Sequence, residues 1–248
     1  MKRKLLFLVL IMTLNGCFKS DNDTDDFCNS DCTLIEGGFV TKNNTPLSGI
    51  NLSLAYDISR SPFSGSTRKI RETKSNKQGN YQMEFFIENS ELGNSEGFFK
   101  LLVDLSNLDD NKYLIPENLP LLEAIHDINR RDTIIKKSFY IPTKAYITIN
   151  LENFNPIQEG DIFKIQTLFP YGLKIDQNTL LDSQYQAGMT GFDDYIAIAE
   201  NQSFSNVVVA ENENNIIRII KIKNGVAEPE DIHVFVPENN DINLTFEY

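Results

Sequence analysis

The chain has 248 residues, with 23 Lys+Arg against 35 Asp+Glu and a formal net charge of −12; it contains no tryptophan, 2 histidines and 3 cysteines, beside 9 tyrosines and 17 phenylalanines. The acidic balance, with no basic cluster in the sequence, excludes nucleic acid as an expected partner, because phosphates demand a concentrated positive surface. Two histidines leave little room for imidazole-centred chemistry, and the length allows one large domain or two small ones.

The chain opens on Met1-Lys2-Arg3-Lys4, followed by the apolar run Leu5 to Leu14, broken only by Thr13, and then Asn15, Gly16 and Cys17. A basic start, a short apolar core and a small residue before the processing point describe an export signal. The run is too short to span a hydrocarbon layer, which needs roughly 20 apolar residues. Leu14-Asn15-Gly16-Cys17 resembles a bacterial lipobox, which implies that Cys17 is acylated and residues 1–16 are removed. Asn15 departs from the alanine or serine usual at that position. The alternative is an ordinary secretory signal, with Cys17 free or disulfide-bonded. Cleavage takes away three of the basic residues and none of the acidic ones. The lipid, at about 0.8 kcal/mol for each buried methylene, would then hold the body at the membrane without help from its charge.

Residues 17–33 read as an acidic tether, because Lys19 to Asp26 holds no core-forming side chain. The segment resembles the acidic signals that follow the lipidated cysteine in surface-exported lipoproteins of the Bacteroidetes type. That implies an outer-membrane lipoprotein exposed at the cell surface; a solubilising spacer is the other reading. Cys28 and Cys32 are expected to form a structural disulfide in an oxidising compartment, with free thiols as the alternative. Their three-residue spacer does not fit a CxxC redox pair, and no neighbouring ligands support a metal.

From Leu34 the sequence turns strand-like. Ile50, Leu52 and Leu54 alternate with Asn51, Ser53 and Ala55, Tyr81, Met83 and Phe85 share one face, and Phe98 to Leu105 adds another apolar strand. The words Gly38-Phe39-Val40, Pro46-Leu47-Ser48-Gly49-Ile50-Asn51-Leu52 and Thr73 to Tyr81 resemble the carboxypeptidase regulatory-like family. The resemblance implies a seven-stranded, transthyretin-like β-sandwich over 34–115 that acts as an accessory or binding module without catalytic machinery. Asn76 stands where the family's turn usually has aspartate, which keeps the side-chain to backbone turn bonds available.

Pro116 to Pro120 marks a boundary, and Leu121, Leu122, Ile125 and Ile128 are spaced for one face of a short helix in a connecting segment, 116–133. His126 is placed on the polar surface of that helix. Asp132-Thr133-Ile134 resembles a short O-glycosylation site of exported proteins of the same bacterial type, with Thr133 as acceptor. Region 134–248 is read as a second β-rich domain, a sandwich or barrel-like module, giving an all-β protein overall. Its clearest strand alternates Ala145, Ile147, Ile149 and Leu151 with Tyr146, Thr148 and Asn150; further strands are read at 195–199, 207–210, 216–222, 232–236 and 242–246. The segment Ile216 to Lys223 is expected to be buried against another layer, with Arg218 and Lys221 at a rim and its edges paired or covered.

No catalytic set emerges. Ser64-Gly65-Ser66 is not a nucleophile elbow, His126 and His233 sit in unrelated contexts, and Asp193 and Asp194, as adjacent strand positions, would face opposite sides. There is no GxGxxG turn, Walker loop or HExxH helix, so no cofactor or metal is expected. The reading is a non-catalytic outer-membrane lipoprotein that binds a protein or other ligand outside the cytoplasm. Two alternatives stand beside it: a glycan-binding accessory lipoprotein of a nutrient-uptake system, and a fimbrial or assembly subunit that uses strand pairing. Loops 61–71 and 167–191 are the expected binding rims, with Tyr171, Tyr185 and Phe192 as candidate ligand contacts.

Overall fold

The computed structural model describes residues 28, 30–61, 64–115, 121–156, 158–174, 195–238 and 241–248. Cys17 and most of the tether lie outside them, as do Tyr185, Phe192, Asp193 and Asp194. The protein is all-β, with two hydrophobic cores each enclosed between sheets. Cys28 and Cys32 are joined by a disulfide with Cα atoms 5.6 Å apart, immediately before the first strand.

The first module begins with β1 (Thr33–Thr41), a 3-10 turn at Lys42–Asn44 and the short β2 (Thr45–Pro46). It continues through β3 (Asn51–Ser61), β4 (Ser64–Lys74), β5 (Asn80–Phe85), β6 (Gly97–Asp104) and β7 (Leu121–Ile125), to β8 (Ile134–Lys136) and β9 (Ser138–Tyr140). One layer is the antiparallel sheet β4-β3-β6-β7; the other is built around β1, which pairs antiparallel with β2 and β5 and parallel with β8 and β9. The core between the layers is rich in aromatics. Phe39 stacks on Phe139 with ring centroids 5.1 Å apart, and Phe85 and Tyr56 both pack on Phe99. Each such ring removes a large apolar area from water, worth about 1.5–3 kcal/mol when fully buried.

The turn words read from the sequence close as turns. Gly49 and Gly79 both have positive φ, 83° and 75°. A Cβ on Gly79 would lie 2.5 Å from the carbonyl oxygen of Phe39, so only glycine fits there. The Asn76 side-chain oxygen accepts hydrogen bonds from the backbone N–H groups of Gln78 and Asn80, closing the turn from the side chain. Ser75, buried beneath this turn, accepts from Ile50 N–H and donates to the carbonyl of Leu47.

Two expectations in this half are corrected. The stretch 121–128, whose spacing suits a helix, begins as strand β7 paired with β6. Leu121, Glu123 and Ile125 also satisfy a period of two, and the available sheet edge decides between the two periods. His126 therefore follows a strand, exposed, with its ring 5.2 Å from that of Phe98. The stretch 61–71, read as a loop, belongs largely to β4, a polar strand whose register with β3 runs from Lys74 to Ser64. Its outward-facing charges conceal the alternation that a half-buried strand normally shows.

The second module contains β10 (Lys144–Glu152), β11 (Ile162–Leu168), β12 (Gly172–Lys174), β13 (Tyr195–Ile196), β14 (Gln202–Ala210), β15 (Glu213–Lys223), β16 (Val226–Val236) and β17 (Asn243–Glu247). Sheets β14-β10-β17 and β13-β11-β15-β16 enclose an aliphatic core that includes Ile147, Ile149, Leu151, Ile165, Val207, Ile217 and Ile219. The inward and outward residues of β10 are those that the alternation predicts, and Tyr146 is exposed. Strand β15 lies inside its sheet between β11 and β16, so both edges of the hydrophobic segment 216–222 are paired. Pro229 falls within β16 at the end of that sheet, where a missing N–H is tolerated. The chain reverses at Glu211-Asn212, where Asn212 has φ 56°, and Asn215 turns inward, fully buried, to bond both backbone groups of Ala210.

The boundary between modules is later than the sequence implied. Strands β8 and β9, within the range assigned to the second domain, complete the sheet around β1 of the first. In addition, β12 leaves the second module to pair with β9, carrying Phe169 and Tyr171 into the first core.

Candidate functional site

A concavity of about 1030 Å³, open to solvent, lies on the outer face of the sheet around β1. Its shape follows from strand register. Alternation along β1 sends Ile35 and Phe39 into the core and Glu36, Gly38 and Val40 outward. Gly38 stands opposite Asn80 on β5; on its other side its N–H donates to the Ser138 hydroxyl at 3.2 Å, and Lys174 on β12 stands opposite Ser138. A row across four strands therefore reads Lys174, Ser138, Gly38, Asn80, with the two smallest side chains in the middle. The neighbouring row is Lys136, Glu36, Gln82. Two small floor residues flanked by long polar walls make a trough, and Asn44, Lys74 and Asn76 extend its rim.

The floor is held from the core side. A Cβ on Gly37 would lie 1.7 Å from the carbonyl oxygen of Lys137, so this glycine is what lets the break between β8 and β9 press against β1. That carbonyl accepts a hydrogen bond from the Tyr81 hydroxyl at 2.7 Å, and the Lys137 ammonium reaches across to Glu123 on β7 at 2.5 Å. Burial, with the Glu123 charge as a smaller contribution, pushes the Tyr81 hydroxyl well above the usual phenol range, so it stays a proton donor to Lys137 at any physiological pH.

Electrostatically the trough differs from the rest of the acidic chain. Among the described residues, Lys74, Lys136 and Lys174 line it beside the carboxylate of Glu36, which lies 3.7 Å from Lys136 in an exposed pair. Such an exposed pair contributes little to stability.

Other polar clusters serve the architecture. Arg68 clasps the buried Glu91 carboxylate with two hydrogen bonds of 2.7 and 2.6 Å, and Arg131 stacks over Phe86 at 4.2 Å. Lys42 bridges Glu211 and Glu238 at the module junction, where the Tyr140 hydroxyl also donates to Glu213. Burial raises the Glu213 carboxyl above the usual carboxylate range, and the Tyr140 hydrogen bond offsets part of that rise. Arg218 meets Asp231, directly opposite on β16, through two hydrogen bonds of 2.8 and 2.9 Å, while Lys221 lies over the Phe163 ring. Among the described residues no group of three His, Cys, Asp or Glu side chains is placed to hold a metal ion.

The sequence-predicted site residues do not converge. Tyr171 is only 5% exposed and belongs to the first core, so it is corrected from a rim contact to a packing residue. Tyr185 and Phe192 lie outside the described residues. Thr133 is half-buried just before β8, its carbonyl bonded to Leu34 N–H. His126 and His233 sit on different modules, His233 exposed on β16 as its alternation predicts. The residues of the trough went unread because they come from four separate stretches of chain. The local sign was the Gly37-Gly38 pair within a strand, which marks close backbone approach.

No protein-family model matches the chain, and no curated protein matches it. Among solved structures, it is similar to the Bacillus anthracis TIE protein at 10% identity and TM-score 0.30, covering 88% of this chain and 33% of that one. It is also similar to a Streptococcal ancillary pilin, at 11% identity and TM-score 0.31, covering 89% and 63% respectively. A third similarity is to the shaft pilin SpaA from Lactobacillus rhamnosus GG, at 10% identity and TM-score 0.30, covering 87% and 96%. The chain thus spans about a third of the first of these proteins and under two thirds of the second.

Proposed function

We propose that this chain is a non-catalytic lipoprotein, anchored through Cys17 at the outer membrane and facing outward, whose first sandwich binds a polar ligand or partner on the outer face of its β1 sheet. The observation that carries the reading is the trough itself: a concave, amide- and lysine-walled surface whose floor is kept low by Gly38 and Ser138. A rigid sheet holds these groups in fixed positions, which lowers the ordering cost of binding. The export signal and lipobox support the placement, and the disulfide joining Cys28 and Cys32 suits an oxidising compartment.

The test has two arms. Mass spectrometry of native material should show acyl chains on Cys17 as the first residue; an unmodified cysteine there would remove the anchor. Gly38→Val should fill the trough and abolish capture of cell-surface or medium components by the purified protein, with its thermal unfolding unchanged; equal capture by this variant would remove the trough from the reading.

A second reading, an assembly subunit that uses strand pairing, is favoured by β16. This strand of 11 residues ends its sheet, with Val226 and Phe235 exposed, and among the described residues no strand pairs with its outer edge. Pro229 and the acidic residues Glu228, Glu230 and Asp231 are the devices by which proteins discourage such pairing, so the trough is preferred.

A further inference from the structure

We propose that the chain carries tension along its length: each sandwich is entered and left through parallel neighbouring strands, and a pull between the two poles of the molecule shears both pairs. The inference goes beyond the binding face and shares with that reading only the attachment at Cys17.

The poles follow from strand direction. Strand β1 is entered at Thr33, directly after the disulfide joining Cys28 and Cys32, and runs toward the second module, where Lys42, one residue past its end, reaches Glu211 and Glu238. At about 3.3 Å per residue, β1 holds its entry about 26 Å from that junction. Strand β10 starts at the junction and ends at Glu152, whose carbonyl accepts from Tyr248 N–H at 3.0 Å. Thr33 and Tyr248 therefore stand at opposite poles.

Tension between them must cross from strand to strand. In the first module it crosses from β1 to β8 and β9, which run parallel to it from the Leu34–Ile134 pair to the Val40–Tyr140 pair, and β9 continues through Ile141, Pro142 and Thr143 into β10. Leu34 N–H donates to the Thr133 carbonyl, Lys137 N–H to that of Glu36 and Ile141 N–H to that of Val40, each at 2.9 Å, and Gly38 N–H reaches the Ser138 hydroxyl. In the second module tension crosses from β10 to β17, parallel from the Thr148–Asn243 pair to the Glu152–Glu247 pair, with the Asn150 side-chain amide donating to the Asn243 side-chain oxygen at 2.7 Å. In both modules the entering strand is drawn by its N-terminal end and the leaving strand by its C-terminal end. Parallel neighbours drawn this way slide along each other, so their evenly spaced hydrogen bonds resist together. Strands drawn apart from one shared end lose those bonds one at a time.

Forced rupture follows the unfolding barrier and not equilibrium stability, so the direction of pull is the readout. The full chain is held in an optical trap by one handle on the Cys17 thiol, Cys28 and Cys32 being bonded to each other, and a second handle beyond Tyr248. The comparison is Arg130→Cys, with handles at positions 17 and 130; this exposed site lies shortly before β8, so the pull draws β1 and β8 apart from neighbouring ends. End-to-end rupture should come in two steps, each freeing on the order of 300 Å of chain, at several times the force that opens the first sandwich from position 130. Asn243→Ala should lower one of the two steps and leave the pull between 17 and 130 unchanged. Equal forces in the two directions, or a lower force end to end, would overturn the proposal. Two end-to-end steps unaltered by Asn243→Ala would remove β10 and β17 from it. Native material without acyl chains on Cys17 would take away the membrane as the fixed end and leave these forces as they are, so the two readings fail separately.

Discussion

The two sandwiches solve the same packing problem with different materials. The first fills its core with stacked and tilted aromatic rings and keeps a glycine pair in its central strand; the second fills its core mainly with Ile, Leu and Val and presents charged pairs on its outer faces. The difference teaches where recognition can be built: on the module whose sheet tolerates Gly37 and Gly38, with the other module bracing it by lending β12, Phe169 and Tyr171.

The sharpest way to break the contrast is Gly37→Val. A side chain there would occupy the space of the Lys137 carbonyl, so β8 and β9 must part from β1 or the strand must shift. We expect a loss above about 4 kcal/mol, in the range reserved for backbone collisions in a core. Chemical denaturation followed by near-ultraviolet dichroism would measure it, and retention of parental stability would show that the break between β8 and β9 does not depend on this glycine.

Next in size is Phe169→Ala. Although it follows a strand of the second module, Phe169 is 1% exposed within the first core, and its truncation should cost about 3 kcal/mol. Hydrogen exchange should show the loss in β1, β5 and β9 ahead of β10 and β14. Protection lost equally in both modules would mean that the two cores unfold as one unit, and the comparison between them would then describe composition alone.

Much of the strand pattern in both modules is legible in the sequence, and the parts that are not have physical reasons. Alternation fixed the faces of β5 and β10 because each buries one side and wets the other. It missed β4, whose exposed polar residues carry no apolar period, and misread 121–125, where the spacing of Leu121 and Ile125 satisfies both a helical and an extended period. The trough was invisible because Gly38, Asn80, Ser138 and Lys174 meet only through register, and register is decided by the fold as a whole. Tyr171 misled for a related reason: an aromatic in a loop-like stretch signals a rim unless the chain crosses to another core, and local pattern does not report the crossing.

The smallest effects sharpen the comparison through pH, because the junction and the far face carry shifts of opposite sign. Glu213 at the junction titrates above the ordinary carboxylate value, chiefly through burial. The folded state therefore holds its proton more tightly than the unfolded state, and this contribution to stability is present below the unfolded value and lost as pH rises through the raised folded one. Asp231, paired with Arg218, titrates below its ordinary value, so its contribution is present above the unfolded value and disappears as pH falls through the lowered one. At neutral pH, Glu213→Gln should stabilise the protein slightly while keeping an acceptor for the Tyr140 hydroxyl. Asp231→Asn should destabilise it by about 0.5 kcal/mol, less at high salt because the pair is exposed. Thermal melts of both variants between about pH 2 and pH 8 would read the two signs, since the window must extend below the ordinary carboxylate range for Asp231 and above it for Glu213. If Glu213→Gln destabilises at neutral pH, the ionised carboxylate is itself a tie between the modules, and the junction is held by charge as well as by the strand that crosses it.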